Sequence, residues 1–113
     1  MKKAYMLKKN KEFRYVYKRG ASYASSCLVL ICVKNKMGPR FGFSVSKKIG
    51  HAVQRNRIKR LMREAASFYM PRMRRDQSYL FVARTRIVKA DLTAIKRDME
   101  FLLSQAGMLG APL

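Results

Sequence analysis

Phe13, Val16 and Tyr17 recur at i, i+3 and i+4, which predicts a short helix with Asn10 as its cap and Gly20 as a left-handed stop. Residues 21–26 are small and polar, enough for a turn or a short edge strand. Residues 28–33 are apolar at every position, the mark of a strand covered on both faces. After a turn cluster at 35–39, Phe41, Phe43 and Val45 alternate with Gly42, Ser44 and Ser46, a period of two whose small face permits close approach. A hairpin between these two strands is the natural pairing. A long helix then enters at Gly50 or His51, with Ile58, Leu61, Met62, Ala65, Phe68 and Tyr69 as its apolar stripe and Pro71 as its end. Residues 79–84 read as a third main strand. Asp91 caps a last helix with the stripe Leu92, Ile95, Met99, Leu102 and Leu103, which Gly107 stops.

The order α-β-β-β-α-β-α follows. A strand, a helix and a strand from 41 to 84 need a crossover connection, hence at least one parallel pair. The predicted fold class is α+β, or an α/β sandwich: a small mixed β-sheet of about four strands with three helices packed on it. Residues 1–113 form a single domain, with 1–6 expected as a flexible basic arm and 107–113 as a flexible tail.

Composition changes the picture. Hydrophobic residues make up 49% of the chain, which suits a folded domain, yet 26 Lys and Arg face only 6 Asp and Glu, a net charge of +20. Such an excess opposes compactness, so it points to a polyanionic partner. Nucleic acid is the first candidate and an anionic membrane surface the second. No apolar run approaches the roughly 20 residues that span a bilayer, and no apolar segment follows the basic start, so neither a membrane anchor nor a secretory leader is expected. Cys27 and Cys32 lie an odd number of residues apart in one apolar run. On a strand they face opposite sides, so two reduced thiols in a cytoplasmic protein are expected, and no Cys/His cluster completes a zinc site.

The basic residues concentrate between 47 and 64. Arg55, Asn56, Lys59, Arg60 and Arg63 fall opposite the apolar stripe of the long helix, with Arg57 and Glu64 at the border. Arginine's planar fork suits phosphate oxygens. The carboxylates Glu12, Glu64, Asp76, Asp91, Asp98 and Glu100 are scattered, and no pair of them is spaced to hold metals for phosphodiester cleavage. His51 is the only imidazole, and a lone His at a helix start reads as a capping or phosphate-contacting residue before a general base. There is no phosphate-binding glycine loop. With no helix-turn-helix, zinc ligands or zipper to present the helix to DNA, RNA shape recognition fits better. Phe13 and Tyr17 read most simply as core anchors; the alternative is a cleft edge where unpaired bases stack.

The run Ser44, Val45, Ser46, Lys47, Lys48, Ile49, Gly50, followed by Arg55, Asn56, Arg57 and by Lys59, Arg60, Leu61, closely resembles the signature of the bacterial ribonuclease P protein subunit family. The resemblance extends from about residue 7 to 105 and takes in the Phe13, Val16, Tyr17 face and the 79–84 strand. It implies an accessory subunit of a ribonucleoprotein that removes the 5′ leader from precursor tRNA, with a large RNA as catalyst and Mg²⁺ bound mainly by that RNA. It also implies a left-handed β-α-β crossover, against the usual right-handed rule. Carried over by position, Arg55, Asn56, Arg57, Lys59, Arg60 and Arg63 would contact the catalytic RNA, with Lys47 and Lys48 close to RNA. Phe13 and Tyr17 would line the cleft for the precursor's leader. Two positions depart from the family: His51 stands where Asn is frequent, and the 28–33 strand lacks the Tyr that some members carry, which shifts the expected stacking to Phe13 and Tyr17. The competing reading is a structural ribosomal protein or general RNA chaperone without a role in cleavage.

Overall fold

A computed structural model describes residues 1–110. Three helices, α1 (Asn10–Arg19), α2 (Ala52–Tyr69) and α3 (Leu92–Gln105), alternate with four strands, β1 (Ala21–Ala24), β2 (Leu28–Lys34), β3 (Arg40–Ser44) and β4 (Gln77–Ala83). The strands lie in one mixed sheet in the order β1-β2-β4-β3. The β3 and β4 pair is parallel, as the crossover requires.

The expected β2–β3 hairpin does not form, because β4 lies between them, antiparallel to β2 and parallel to β3. The apolar run of β4 is best buried with a neighbour on each side, and the 35–39 turn is long enough to step over its start. That turn is pinned there: the Asn35 backbone N–H donates to the Asp76 carbonyl at 2.8 Å, and Asn35 Nδ2 donates to Ser78 Oγ at 2.9 Å.

One sheet face carries Leu28, Leu30, Cys32, Phe41, Phe43, Tyr79 and Phe81, which join Ile58, Met62, Tyr69, Ile95, Met99 and Leu102 in the main core under α2 and α3. Phe41 stacks on Tyr79 with centroids 5.3 Å apart, and Phe43 on Phe81 at 5.9 Å, so the two register pairs of the parallel ladder that face this core are both aromatic pairs. The Tyr79 hydroxyl donates to the Arg74 carbonyl at 2.6 Å. On the other face Val16 of α1 and Leu7 from the segment before it cover Ile31 and Leu80. Of the predicted α2 stripe, Phe68 is 53% exposed; Ala66 takes the buried place, and the Lys96 ammonium sits 4.1 Å from the Phe68 ring centre.

The ends differ from expectation. Leu7 is buried, its N–H donating to the Phe41 carbonyl at 2.8 Å, and Met6 bridges to Phe41. The supposed arm is therefore docked on β3 from Tyr5 onward, because its apolar residues find an open sheet edge there. Asn10 is not a cap: Lys9 holds that position without a side-chain bond, and Glu12 instead accepts from the Lys8 N–H at 3.0 Å. Gly20 is extended (φ −79°, ψ 155°) rather than left-handed. Its reason is proximity, since a Cβ there would lie 2.5 Å from Ile31 Cγ2 and 2.6 Å from the Val16 carbonyl oxygen. Asp91 does cap α3, accepting from the Ala94 N–H at 2.9 Å. Gly107, at φ 72°, ends α3 with the Met108 N–H bonded to the Leu103 carbonyl and its own to Ser104. The expected tail then runs back along 72–74: Gly110 N–H donates to the Arg72 carbonyl at 2.7 Å, and Leu109 bridges to Met73. Positions 111–113 of that tail lie outside the described residues.

Cys27 and Cys32 are free and buried, but they do not face opposite sides. Cys27 precedes β2 and packs into the same core as Cys32; about 16 Å of strand separates them instead. Burial raises both thiols above the ordinary 9.0. The stabilisation this brings is complete below pH 9.0 and lost as pH rises through the raised folded values. Alkylation at about pH 9 should therefore proceed in denaturant and be strongly suppressed in the folded protein; equal rates in both states would refute the burial argument.

Candidate nucleic-acid interface

The 18 residues of α2 divide cleanly between core and solvent. Ile58, Met62, Ala65, Ala66 and Tyr69 are buried, and the opposite arc leaves Asn56, Arg57, Arg60, Arg63 and Glu64 exposed. Arg57 therefore stands on the open face, not at its border. Arg55 and Lys59 are half-buried, and Arg55 Nη1 donates to the Gly50 carbonyl at 2.7 Å, closing the turn into the helix. At the centre of the arc Val53 is 82% exposed, an apolar spot among cations. His51 occupies the cap position without a side-chain bond.

Lys47 and Lys48 project from a one-turn 3-10 helix, Lys47–Ile49, which joins β3 to α2. Ser46 Oγ accepts from the Lys48 N–H at 3.0 Å, and Ile49 is buried as the anchor, so both ammonium groups are exposed on a fixed turn. A second 3-10 turn, Thr85–Lys89, follows the parallel strand β4 and packs beside the first. With Arg84 just before it, this turn adds exposed Arg86 and Lys89 to the same end of the sheet, residues that sequence reasoning missed because only the parallel pairing brings the two turns together.

Register defines the cleft. On the α1 side, Ala24, Val29, Val82 and Ser44 form one cross-strand row at the end where β3 and β4 finish. The next row, Ser22, Ile31, Leu80 and Gly42, lies under α1, which leaves the end row half-open. Phe13 and Tyr17 lie one turn apart on the flank of α1 opposite Tyr15. Phe13 is half-buried, its ring packing over Gly42, and Tyr17 is 48% exposed. The structure thus splits the two: Phe13 serves the core and the flank together, while Tyr17 is free. Val29 and Val82 were invisible as cleft residues, since nothing in the chain order pairs them.

Little negative charge opposes this surface. Asp98 accepts from the Cys27 N–H at 2.8 Å and from Ser25 Oγ at 3.0 Å, tying α3 to the turn before β2. Asp76 pairs with Arg74 at 2.9 Å, which holds the carboxyl below its ordinary value, and Glu100 lies 3.8 Å from Arg72. These are the two ion pairs among the described residues. No three His, Cys, Asp or Glu side chains gather among the described residues.

A family model described as Ribonuclease P matches residues 1–107. The chain belongs to the ribonuclease P protein family. The ribonuclease P protein component of Desulforamulus reducens is 43% identical over 100 residues, 88% of either chain, and that of Clostridium botulinum is 41% identical over 104 residues, 90% of this chain and 94% of the relative. The RNase P protein of Staphylococcus aureus superposes with a TM-score of 0.86 at 34% identity, covering 96% of this chain and 100% of that one. The Thermotoga maritima RNase P protein, at 24% identity and a TM-score of 0.81 over 88% of this chain and 96% of that one, shares the fold. The mixed four-stranded sheet with three helices is accordingly the α+β fold of ribonuclease P proteins. Membership gives the chain a role in an endoribonuclease complex with an RNA partner, in place of the ribosomal-protein alternative. No helix among the described residues is long and apolar enough to cross a membrane.

Proposed function

We propose that this ribonuclease P protein binds the catalytic RNA through α2 and the 5′ leader of precursor tRNA through the row beside α1, promoting endonucleolytic removal of the leader to give the mature tRNA 5′ end. One observation carries the reading: the half-open row ends where β3 finishes, and the chain passes from there through the Lys47–Ile49 turn straight into α2, whose exposed arc carries Asn56, Arg57, Arg60 and Arg63. Two RNAs held there would repel each other, and the surplus of cations between them lowers that cost. In this reading Arg57, Arg60 and Arg63 track phosphates, Asn56 adds a neutral contact, and Lys47 and Lys48 face the junction. Arg55 and Lys59 act from the border of the arc, Arg55 also holding the helix start. The RNA subunit is the catalyst and holds most of the Mg²⁺, the complex works in the cytoplasm, and residues 1–113 act as a single domain within it. The protein's contribution is to affinity for the substrate and to its placement.

Reconstitution with a bacterial catalytic RNA at low Mg²⁺ tests this. Added protein should raise cleavage of precursor tRNA; no increase would overturn the reading. Tyr17→Ala, at an exposed ring, should weaken binding of precursors with a leader of several nucleotides by roughly 5- to 150-fold, the range for one lost stacking contact. Precursors with a single-nucleotide leader should be unaffected. An equal loss for both would assign Tyr17 to structure rather than to the leader.

A further inference from the structure

The flank of α1 that faces away from Tyr17 carries a second groove. It is an open hollow of about 620 Å³ between α1, the end of β2 and the start of β3. Its floor is apolar, with Val33 half-exposed over the buried Leu7 and Val16. Lys11, Lys34, Lys36 and Arg40 rim it against one carboxylate, Glu12, and that carboxylate already accepts the Lys8 N–H. Tyr15 stands on the wall with 55% of its surface exposed. It is two residues from Tyr17, about 200° around the helix, so one ring cannot serve both grooves. The hollow also lies at the opposite end of the sheet from Lys47 and Lys48, beside the 35–39 turn rather than the Lys47–Ile49 turn.

An aromatic ring left in water beside unpaired cations and a narrow apolar floor has the make-up of a single-strand platform: ammonium and guanidinium groups for the backbone, a ring for one base. A solvated charged face would not keep a tyrosine uncovered above a hydrophobic floor, and an acidic peptide would leave the ring without a stacking partner. We infer that this groove binds unpaired RNA as a second strand site, separate from the cleft beside Tyr17. Lys34 and Lys36 take phosphates, Tyr15 stacks on a base, and Val33 contacts the base edge or sugar.

Methyl NMR on the full chain tests the inference with hexauridylate as the probe. Val33 reports the groove, and Val29 and Val82 report the cleft. On titration the Val33 methyls should shift and saturate. Tyr15→Ala should weaken that response roughly 5- to 150-fold and leave the Val29 and Val82 response in place, whereas Tyr17→Ala should do the reverse. Lys34→Ser with Lys36→Ser should lower the salt slope of the Val33 response by about 0.7 per lost phosphate contact. This second variant keeps every ring in place, so it still reads the site if loss of Tyr15 disturbs α1. Val33 methyls that stay still at saturating hexauridylate would overturn the inference. So would a response unchanged in both variants, or one given by an oligo-aspartate peptide and not by the RNA. Because Val29 and Val82 are read in the same spectra, failure at the groove is distinct from failure of the leader cleft.

Discussion

Arg57→Ala combined with Arg60→Ala should weaken assembly with the catalytic RNA by roughly 100-fold or more and reduce its salt dependence. Both side chains stand on the open arc of α2, with no carboxylate among the described ion pairs to share them. A charge-assisted hydrogen bond contributes about 1.5–3 kcal/mol, so two lost contacts reach that factor. Each lost phosphate contact should also remove about 0.7–0.9 from the log–log salt slope. The folding midpoint should hardly move, since neither residue packs in the core. Arg55→Ala should behave differently. Its guanidinium is committed to the Gly50 carbonyl, so its loss frees the turn between the Lys47–Ile49 helix and α2, lowering stability and binding together. An unchanged salt slope in the double variant would place the RNA elsewhere on the protein.

Gly42→Ala should damage both fold and function from a position that touches no RNA. A Cβ at residue 42 would lie 2.8 Å from Leu7 Cδ1, 2.8 Å from Phe13 Cε1 and 3.1 Å from Leu80 Cδ1. Something must move, and the movable groups are the docked N-terminal segment and the ring on the α1 flank. Overpacking of this kind costs about 1–3 kcal/mol, or roughly 4–20 °C of melting temperature for a domain near this size. The displaced Phe13 should then carry the defect to leader binding, most visibly with longer leaders. A variant with wild-type melting and wild-type leader dependence would show that the N-terminal segment and α1 adapt without cost.

Gly42 also marks where sequence reading stopped. Its small face was legible as room for something to approach, but the occupants are Phe13, from the predicted first helix, and Leu7, which follows directly on the stretch that reads as a loose basic arm. Met6 and Leu7 offer no periodicity of their own; they dock because β3 is an edge strand, which only the strand order reveals. The β2–β3 hairpin failed for the related reason that local pattern favours neighbours in sequence, while burial of β4 favours the centre of the sheet. Within α2 the wheel separated core from solvent well, yet it set Arg57 at the border and Arg55 on the face. The wheel carries no tertiary partner, and Arg55 is claimed by a carbonyl five residues back.

By itself the sequence determined the elements, the parallel crossover, the surplus of cations on one helix and the kinship carried by Ser44 to Leu61. These follow from periodicity, helix-ending residues and charge, all local or additive along the chain. Tertiary structure alone decided that β4 parts β2 from β3, and that the segments 5–7 and 108–110 are docked. It also decided that Val29 and Val82 share one half-open row, that Phe13 and Tyr17 lie on one flank of α1, and that Tyr15 on the other flank faces another groove. Those depend on which strand is buried at the centre, a competition among distant apolar segments for the same core, and no single segment carries its outcome.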